Sequence, residues 1–251
     1  MRIFVSPDAA AAGAAAADLV AAVAARRPRL VLGVATGSSP QPLYRALHEH
    51  VVRSLDLSGA TAFALDEYVG IDPRHPQSYH AVIDRDARQP LGLDPARVHV
   101  PHGATADRHT TAAAYDRAIA AAGGVDLQIL GIGSNGHIGF NEPGSAYSSR
   151  TRVVDLAPQT IADNSRFFDS ADDVPTQAVT QGVGTILDAR EIVLVAAGAA
   201  KADAVAAAVR GPIGPAVPAS FLRQHPRVTL FLDEAAAALL PSSHLSIGAV
   251  A

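Results

Sequence analysis

Two adjacent carboxylates, Asp66 and Glu67, follow an apolar run at residues 60–65. Neighbouring side chains of an extended chain project to opposite sides, so only one of the two can face a given cleft. A carboxylate at a strand end can act as a base toward a bound substrate when its pKa lies near the working pH. Taken alone, the pair is better explained by helix capping or by a solvated loop.

A glycine-rich segment carries a histidine and a glutamate, side chains suited to proton transfer near neutral pH. It runs from Ile129 to Pro143 as ILGIGSNGHIGFNEP and contains His137 and Glu142. Its glycines allow the backbone to approach a ligand closely. A metal site would need further ligands, and none stands nearby at helical spacing, so we expect no metal. The segment predicts an acid–base loop, with a structural histidine in a tight turn as the alternative.

The residues Thr36, Gly37, Ser38 and Ser39 lie between an apolar strand-like run and a helical pattern that starts near Pro42. A turn of this kind directs backbone N–H groups and hydroxyls toward an anion, and the helix dipole adds attraction. The segment lacks the lysine and the spacing of a P-loop and is not a dinucleotide-binding fingerprint. A plain strand-to-helix turn capped by serine explains the segment equally well.

Two basic side chains stand in positions that suit an anionic ligand. Arg166 precedes two aromatic residues, Phe167 and Phe168, in a segment that could form a mobile flap or a solvated helix face. Lys201 follows Gly198 in a second strand-glycine-helix arrangement. Lysine is unfavourable in a first helical turn, so an anionic ligand there would explain it.

The elements that must position these side chains alternate along the chain. Short apolar runs interleaved with helical patterns are typical of βα units and a mainly parallel sheet. Ligands of such sheets bind beyond the carboxyl ends of the strands, which is where residues 36–39, 66–68 and 134–137 stand. We predict strands at residues 2–5, 30–34, 60–65, 98–100, 127–130, 151–156, 192–195 and 228–232, and helices up to about residue 25 and at 42–52, 107–122 and 200–209.

The composition fits one globular domain spanning residues 1–251, with 49% apolar and 18% charged residues. The absence of cysteine excludes disulfides, thiolate-bound metals and cysteine nucleophiles. A net charge of -4 without basic runs argues against nucleic acid as a partner. We see no signal peptide and no membrane-spanning run, so we expect a cytoplasmic protein without a membrane partner.

These segments together resemble the glucosamine-6-phosphate deaminase family, also called the glucosamine-6-phosphate isomerase family. The quoted residues stand in the family's order from Gly33 to Lys201, and the loop ending in Phe140-Asn141-Glu142-Pro143 is the most specific part. Further stretches, EYVG at residues 67–70, SRTR at 149–152 and GVGT at 182–185, are similar as well. The resemblance spans nearly the whole chain.

The resemblance implies a fold and an activity. The fold would be α/β and Rossmann-like, a mostly parallel open sheet flanked by helices, with a mobile flap over the active site. The reaction would isomerise and deaminate glucosamine 6-phosphate to fructose 6-phosphate and ammonia, in amino-sugar catabolism, without a cofactor. Asp66 would move the proton between C2 and C1, and His137, with Glu142 and Asn135, would open the sugar ring. The substrate-binding residues would be Thr36, Gly37, Ser38, Ser39, Gly136, Arg166 and Lys201.

The chain departs from many relatives at Asn135, where they have aspartate, and this changes the charge next to the histidine. It also has Val154 in place of the lysine that helps to bind an activator in hexameric relatives, although Ser145 and Arg152 are kept. A small phosphosugar is the expected partner, and a homo-oligomer is compatible with the sequence.

Two other functions fit parts of the sequence. 6-Phosphogluconolactonases share the fold and an acidic pair, but they typically have arginine where this chain has Tyr68. A non-catalytic sugar-phosphate sensor would need a DNA-binding module, and no helix-turn-helix pattern is present. The joint presence of Asp66, His137 and Glu142 favours an enzyme.

Overall fold

The computed structural model describes residues 1–103 and 108–241. Within them, ten β-strands form a seven-stranded and a three-stranded sheet. The strands are β1 Arg2–Ser6, β2 Val31–Val34, β3 Thr61–Ala64, β4 Asp66–Tyr68, β5 Val98–His99, β6 Leu127–Leu130, β7 Arg152–Asp155, β8 Gln177–Thr180, β9 Glu191–Ala196 and β10 Val228–Asp233.

The larger sheet has the order β1-β10-β9-β6-β2-β3-β5, and its neighbouring strands are parallel. The strands β2, β6 and β10 are buried on both faces and mostly apolar: all of their residues are buried, and only Gln128, Thr229 and Asp233 are polar. Such continuous apolar runs are typical of parallel sheets covered on both sides. The predicted α/β fold with an open, mostly parallel sheet flanked by helices is therefore confirmed.

Along the chain, the helices stand between the strands of the two sheets. They are α1 Ala9–Ala25, α2 Gln41–Arg53, α3 Tyr79–Ile83, α4 Gln89–Leu91, α5 Arg108–Ala121, α6 Pro158–Asn164, α7 Val183–Leu187 and α8 Ala202–Arg210. A π-helical turn, Asp84–Arg88, joins α3 to α4. Asp8 caps α1 by accepting a hydrogen bond from the Ala11 N–H (2.8 Å).

The predicted start of α5, Asp107, lies outside the described residues, and so do residues 242–251. Lys201 does not stand inside a regular first α-helical turn, because Ala199–Lys201 form a 3₁₀ turn and α8 begins at Ala202. Glycine before the helix, with a positive φ at Gly198, favours this tighter entry. Among the described residues, no helix is long and apolar enough to span a membrane.

The smaller sheet is antiparallel and has the order β4-β8-β7. The sequence predicted a strand over residues 151–156, where β7 lies, but did not predict β4 or β8. Both are short, and β4 reads Asp-Glu-Tyr, which has no apolar periodicity. In this sheet Asp66 stands opposite Thr180, and Thr180 stands opposite Arg152 on its other side. The chain thus changes sheets between Ala64 and Asp66.

Candidate active site

A cavity of about 390 Å³ opens beyond the carboxyl ends of four neighbouring strands, β3, β2, β6 and β9. Each strand contributes the segment that follows it. The wall opposite the sheet is formed by α6 and the 3₁₀ turn Ser165–Phe167. The lining includes Thr36, Gly37, Ser38, Ser39, Asp66, Tyr79, His137, Thr160, Asp163, Asn164, Arg166 and Lys201.

The acidic pair divides its two side chains between the cavity and the protein interior. Asp66 lines the cavity although only 4% of its surface is exposed. Glu67 is buried as well, and its Oε1 accepts hydrogen bonds from the Tyr68 and Tyr79 N–H groups (2.9 Å each). Its Oε2 accepts from the His80 N–H (3.1 Å) and lies 3.1 Å from His80 Nδ1. Glu67 therefore holds the start of α3 and is not free for chemistry.

The environment of Asp66 changes its protonation. Burial, and secondarily the neighbouring Glu67 carboxylate, raise the pKa of Asp66 to about 8. Hydrogen bonding by the Thr180 hydroxyl and the Phe140 N–H opposes this shift without cancelling it. A carboxyl group with such a pKa can both accept and release a proton near neutral pH.

This raised pKa links stability to pH. The pKa of Asp66 is about 8 in the folded protein, above its ordinary value of 3.8. The contribution of Asp66 to the free energy of unfolding is therefore complete below about pH 4 and is lost as pH rises through 8. We expect the Tm of Asp66→Asn to rise relative to the wild type between about pH 5 and pH 9. Thermal melts of both proteins across that range test this. A Tm difference that does not vary with pH would contradict it.

His137 fits into space that glycine leaves free. A Cβ atom at Gly133 would lie 2.2–2.4 Å from three atoms of the imidazole ring, so no larger residue is compatible with this ring position. The Gly133 N–H donates to the His137 carbonyl oxygen (3.0 Å), which closes the turn. The ring lines the cavity, and its buried Nδ1 points to Glu142 Oε2 at 3.5 Å. That separation is longer than a hydrogen bond, so the contact is electrostatic.

Glu142 lies behind His137, outside the cavity lining. Its Oε1 accepts a hydrogen bond from Thr160 Oγ1 (2.5 Å), and its Oε2 accepts from Asn135 Nδ2 (2.8 Å). Burial raises the pKa of Glu142, but the contacts with His137, Thr160 and Asn135 together outweigh burial and lower it to about 2. The carboxylate is thus held ionised beside the imidazole.

Asn135 connects His137 and Glu142. Its Oδ1 accepts from the His137 N–H (3.2 Å) while its Nδ2 donates to Glu142, so the amide bridges the turn and the carboxylate. Gly136, the remaining predicted residue of this loop, does not line the cavity. Its backbone lies against Val217, because a Cβ at this position would come within 2.7 Å of the Val217 side chain.

The other end of the cavity is positively charged and rich in donors. Gly37 has φ +91, which turns the loop at residues 36–39 toward α2. Arg166 stands over the Phe167 ring, 4.7 Å from its centre, and Lys201 faces the same space. Burial lowers the pKa of Lys201; the nearby Asp163 carboxylate opposes that effect and Arg166 adds to it.

The structure also brings in residues that the sequence did not single out. Thr180 and Thr160 contact the Asp66 and Glu142 carboxyl groups, and Asp163 accepts from Ser134 Oγ (2.8 Å) across the cavity. None of them stands in a glycine-rich segment after a strand of the larger sheet. Of these three residues, only Asp163 has a signal in the sequence, since it is an acidic residue three positions before Arg166.

Comparison with known proteins places the chain in a family. The profile of "Glucosamine-6-phosphate isomerases/6-phosphogluconolactonase" matches residues 7–231. The glucosamine-6-phosphate deaminase of Rhodopirellula baltica is 52% identical over 241 residues, which cover 96% of either chain. The corresponding protein of Streptomyces avermitilis is 50% identical over 242 residues, covering 96% of this chain and 93% of that protein.

Solved structures agree with the sequence comparison. A monomeric glucosamine-6-phosphate deaminase superposes with a TM-score of 0.93 at 38% identity, covering 95% of this chain and all of the other. The 6-phosphogluconolactonase of Leishmania guyanensis has a TM-score of 0.77 at 21% identity over 96% of this chain and 99% of that one, and thus shares the fold. The chain belongs to the glucosamine-6-phosphate deaminase family, within the wider group of glucosamine-6-phosphate isomerases and 6-phosphogluconolactonases.

Proposed function

We propose that this chain converts glucosamine 6-phosphate and water to fructose 6-phosphate and ammonia. The observation that carries the proposal is one cavity with a buried carboxyl group of raised pKa, a histidine–glutamate pair and two cationic side chains. Isomerisation needs a base at carbon, ring opening needs a separate acid–base group, and the phosphate needs fixed donors. The relatives named above carry the same activity in their names.

Ring opening is the role proposed for His137. The imidazole moves a proton from the C1 hydroxyl to the ring oxygen, which breaks the C1–O5 bond and leaves an aldehyde at C1. Glu142, held ionised by Thr160 and Asn135, stabilises the imidazolium that forms during this transfer. Because Glu142 does not line the cavity, it acts through the histidine.

Isomerisation is the role proposed for Asp66. Its carboxylate takes the C2 proton of the open-chain sugar while the C1 oxygen takes a proton from the C2 ammonium group, giving an enolamine. Asp66 then returns a proton to C1, giving a protonated ketimine at C2. Water adds to that C2=N bond, and ammonia leaves as the ketone forms. The substrate's C2 ammonium group brings a positive charge next to Asp66, which favours the ionised carboxylate needed for the first step.

Phosphate binding is proposed for residues 36–39 together with Arg166 and Lys201. The start of α2 directly after this loop adds the favourable end of the helix dipole. Arg166 lies on the wall formed by α6 and the turn after it, where Phe167 is 39% exposed. We propose that this wall, residues 158–168, is the mobile flap, and that phosphate binding draws it over the sugar.

The direct test supplies glucosamine 6-phosphate to the purified protein and measures ammonia and fructose 6-phosphate together. We expect the two products in equal amounts. Hydrolysis of 6-phosphogluconolactone is measured in parallel, since those enzymes share the fold. Rapid lactone hydrolysis without ammonia release would overturn the proposal, and binding of the amino sugar without turnover would favour a sensor.

Asn135→Asp is expected to move the His137-dependent limb of the pH–rate profile to higher pH without abolishing turnover. The new carboxylate oxygen would replace the amide that donates to Glu142 Oε2 at 2.8 Å, so two carboxylates would meet beside the imidazole. The extra negative charge favours the protonated ring. pH–rate curves and Tm are measured on the same variant. A loss of Tm with an unchanged pH profile would show that Asn135 only supports the turn.

A further inference from the structure

Two fully buried amide side chains, Asn141 and Gln181, lie behind the cavity without lining it. Asn141 stands between His137 and Glu142 in the chain, and Gln181 directly follows β8. Neither can touch a ligand in the cavity. Their contacts reach the backbone next to both Asp66 and His137.

Gln181 holds the two residues that precede Asp66. Its N–H donates to the Leu65 carbonyl oxygen (2.8 Å), and its Nε2 donates to the Ala64 carbonyl oxygen (3.0 Å). These bonds are made where the chain leaves the larger sheet and enters the smaller one. Gln181 therefore bonds both carbonyl oxygens that directly precede Asp66.

Asn141 connects Gln181 to the histidine loop. Its Nδ2 donates to the Gln181 carbonyl oxygen (2.7 Å) and to the Ile138 carbonyl oxygen (2.9 Å). Its Oδ1 accepts from Arg152 Nη1 (2.8 Å), and because a guanidinium only donates, this contact fixes the orientation of the amide. Both amide hydrogens are thus directed at carbonyl oxygens, one of them on the residue after His137.

We infer that Asn141 and Gln181 are positioning residues that fix the separation between the Asp66 carboxyl group and the His137 imidazole. The inference rests on the proposed function, in which these two groups act on neighbouring atoms of one sugar. A misplacement of about 1 Å can cost about 100-fold in rate, so a buried link between the two groups has a direct effect on turnover.

A second buried glutamine provides a matched control. Gln128 in β6 is also fully buried, and its Nε2 donates to the Ile129 carbonyl oxygen (2.9 Å) in its own strand. In both glutamines the Oε1 atom has no hydrogen-bond partner among the described residues. The two side chains are similar in burial and each Nε2 donates one bond. Gln128 makes its contacts within the strands, to Ile129 and against Gly33, whereas Gln181 bonds the backbone directly before Asp66.

The experiment compares Gln181→Met with Gln128→Met. Each variant loses one buried amide donor at similar volume, and Ala64 O keeps its bond from Tyr115 Oη (2.8 Å), so Gln181→Met is expected to fold. We expect similar losses of Tm in the two variants. Gln181→Met should lower kcat for glucosamine 6-phosphate by about tenfold or more and change KM by less than about threefold, whereas Gln128→Met should leave kcat within about twofold.

Asn141→Asp provides a second, independent variant. It keeps the shape and the Arg152 contact but turns a carboxylate oxygen toward two carbonyl oxygens, so we expect a kcat loss like that of Gln181→Met. Crystal structures of the wild type and the glutamine variants measure the Asp66–His137 separation directly. We expect a change above about 0.5 Å in Gln181→Met alone.

Equal kcat losses in the two glutamine variants, or an unchanged separation in Gln181→Met, would overturn the inference. A rise in KM alone would overturn it too, because it would indicate a binding role. The wild type distinguishes a failure of the proposed function from a failure of this inference. If the wild type released no ammonia, the proposed reaction would be wrong. The measured separations would still decide whether Asn141 and Gln181 position Asp66 and His137.

Discussion

Asp66→Asn is expected to fold and to bind glucosamine 6-phosphate, yet to lose about two to four orders of magnitude in kcat. The amide has nearly the shape of the carboxyl group but cannot take the C2 proton. The phosphate-binding residues are unchanged, so KM should stay within about threefold of the wild-type value. Initial rates of ammonia release test this. A variant that kept a large share of the wild-type kcat would remove Asp66 from the mechanism.

Solvent exchange makes the test specific to proton transfer. In D₂O the wild type should place deuterium at C1 of fructose 6-phosphate, because the proton taken from C2 exchanges or is replaced before delivery to C1. Asp66→Asn should slow this incorporation together with product formation. Asp155→Asn is the matched control. Asp155 is an exposed residue of β7 in the same small sheet, and its side chain accepts a hydrogen bond from Gln177 Nε2. It should behave like the wild type.

The pH dependence of kcat/KM gives a further view of the same group. Because burial and Glu67 raise the pKa of Asp66 to about 8, activity of the free enzyme should rise with pH over a range well above the ordinary range of a carboxyl group. A limb near pH 4 would contradict the raised pKa of Asp66 as the origin of the pH dependence.

Arg166→Ala and Lys201→Ala are each expected to lower kcat/KM for glucosamine 6-phosphate by about 10- to 150-fold, the equivalent of about 1.5 to 3 kcal/mol for a charge-assisted contact. The reaction of free glucosamine should change little, because free glucosamine has no phosphate for these side chains to bind. Comparison of the two substrates on each variant makes this measurement.

Arg210→Ala is the control for the loss of a positive charge. Arg210 is exposed at the opposite end of α8 from Lys201 and does not line the cavity. Its removal should leave the preference for the phosphorylated substrate intact. If Arg166→Ala and Lys201→Ala reduced the rates of both substrates equally, a defect of folding or of the flap would be the explanation, and the phosphate role would be wrong.

Local patterns predicted most of the larger sheet. The strands predicted at residues 2–5, 127–130 and 228–232 match β1, β6 and β10 to within one residue at each end. β6 and β10 are buried on both faces, so mostly apolar runs mark them, whereas β1 is only partly buried. The strand ends then predicted where polar, glycine-bearing segments would gather.

The smaller sheet could not be predicted in the same way. β4 has three residues, and its pairing with β8 depends on contacts between residues far apart in the chain, such as Asp66 with Thr180. No local periodicity carries that information. As a result, the sequence did not predict the contact of the Thr180 hydroxyl with Asp66 or the hydrogen bonds made by Asn141 and Gln181.

The sequence by itself determined the residue types and their order: a carboxylate pair after one strand, a histidine and a glutamate in one glycine-rich loop, and two basic residues further on. Tertiary structure decided where each side chain lies and what it contacts. It turned Asp66 to the cavity and Glu67 to the start of α3, and it left Gly136 against Val217. The reason is physical: side-chain direction at a sheet boundary, burial and the resulting pKa arise from neighbours distant in sequence, which a local pattern does not specify.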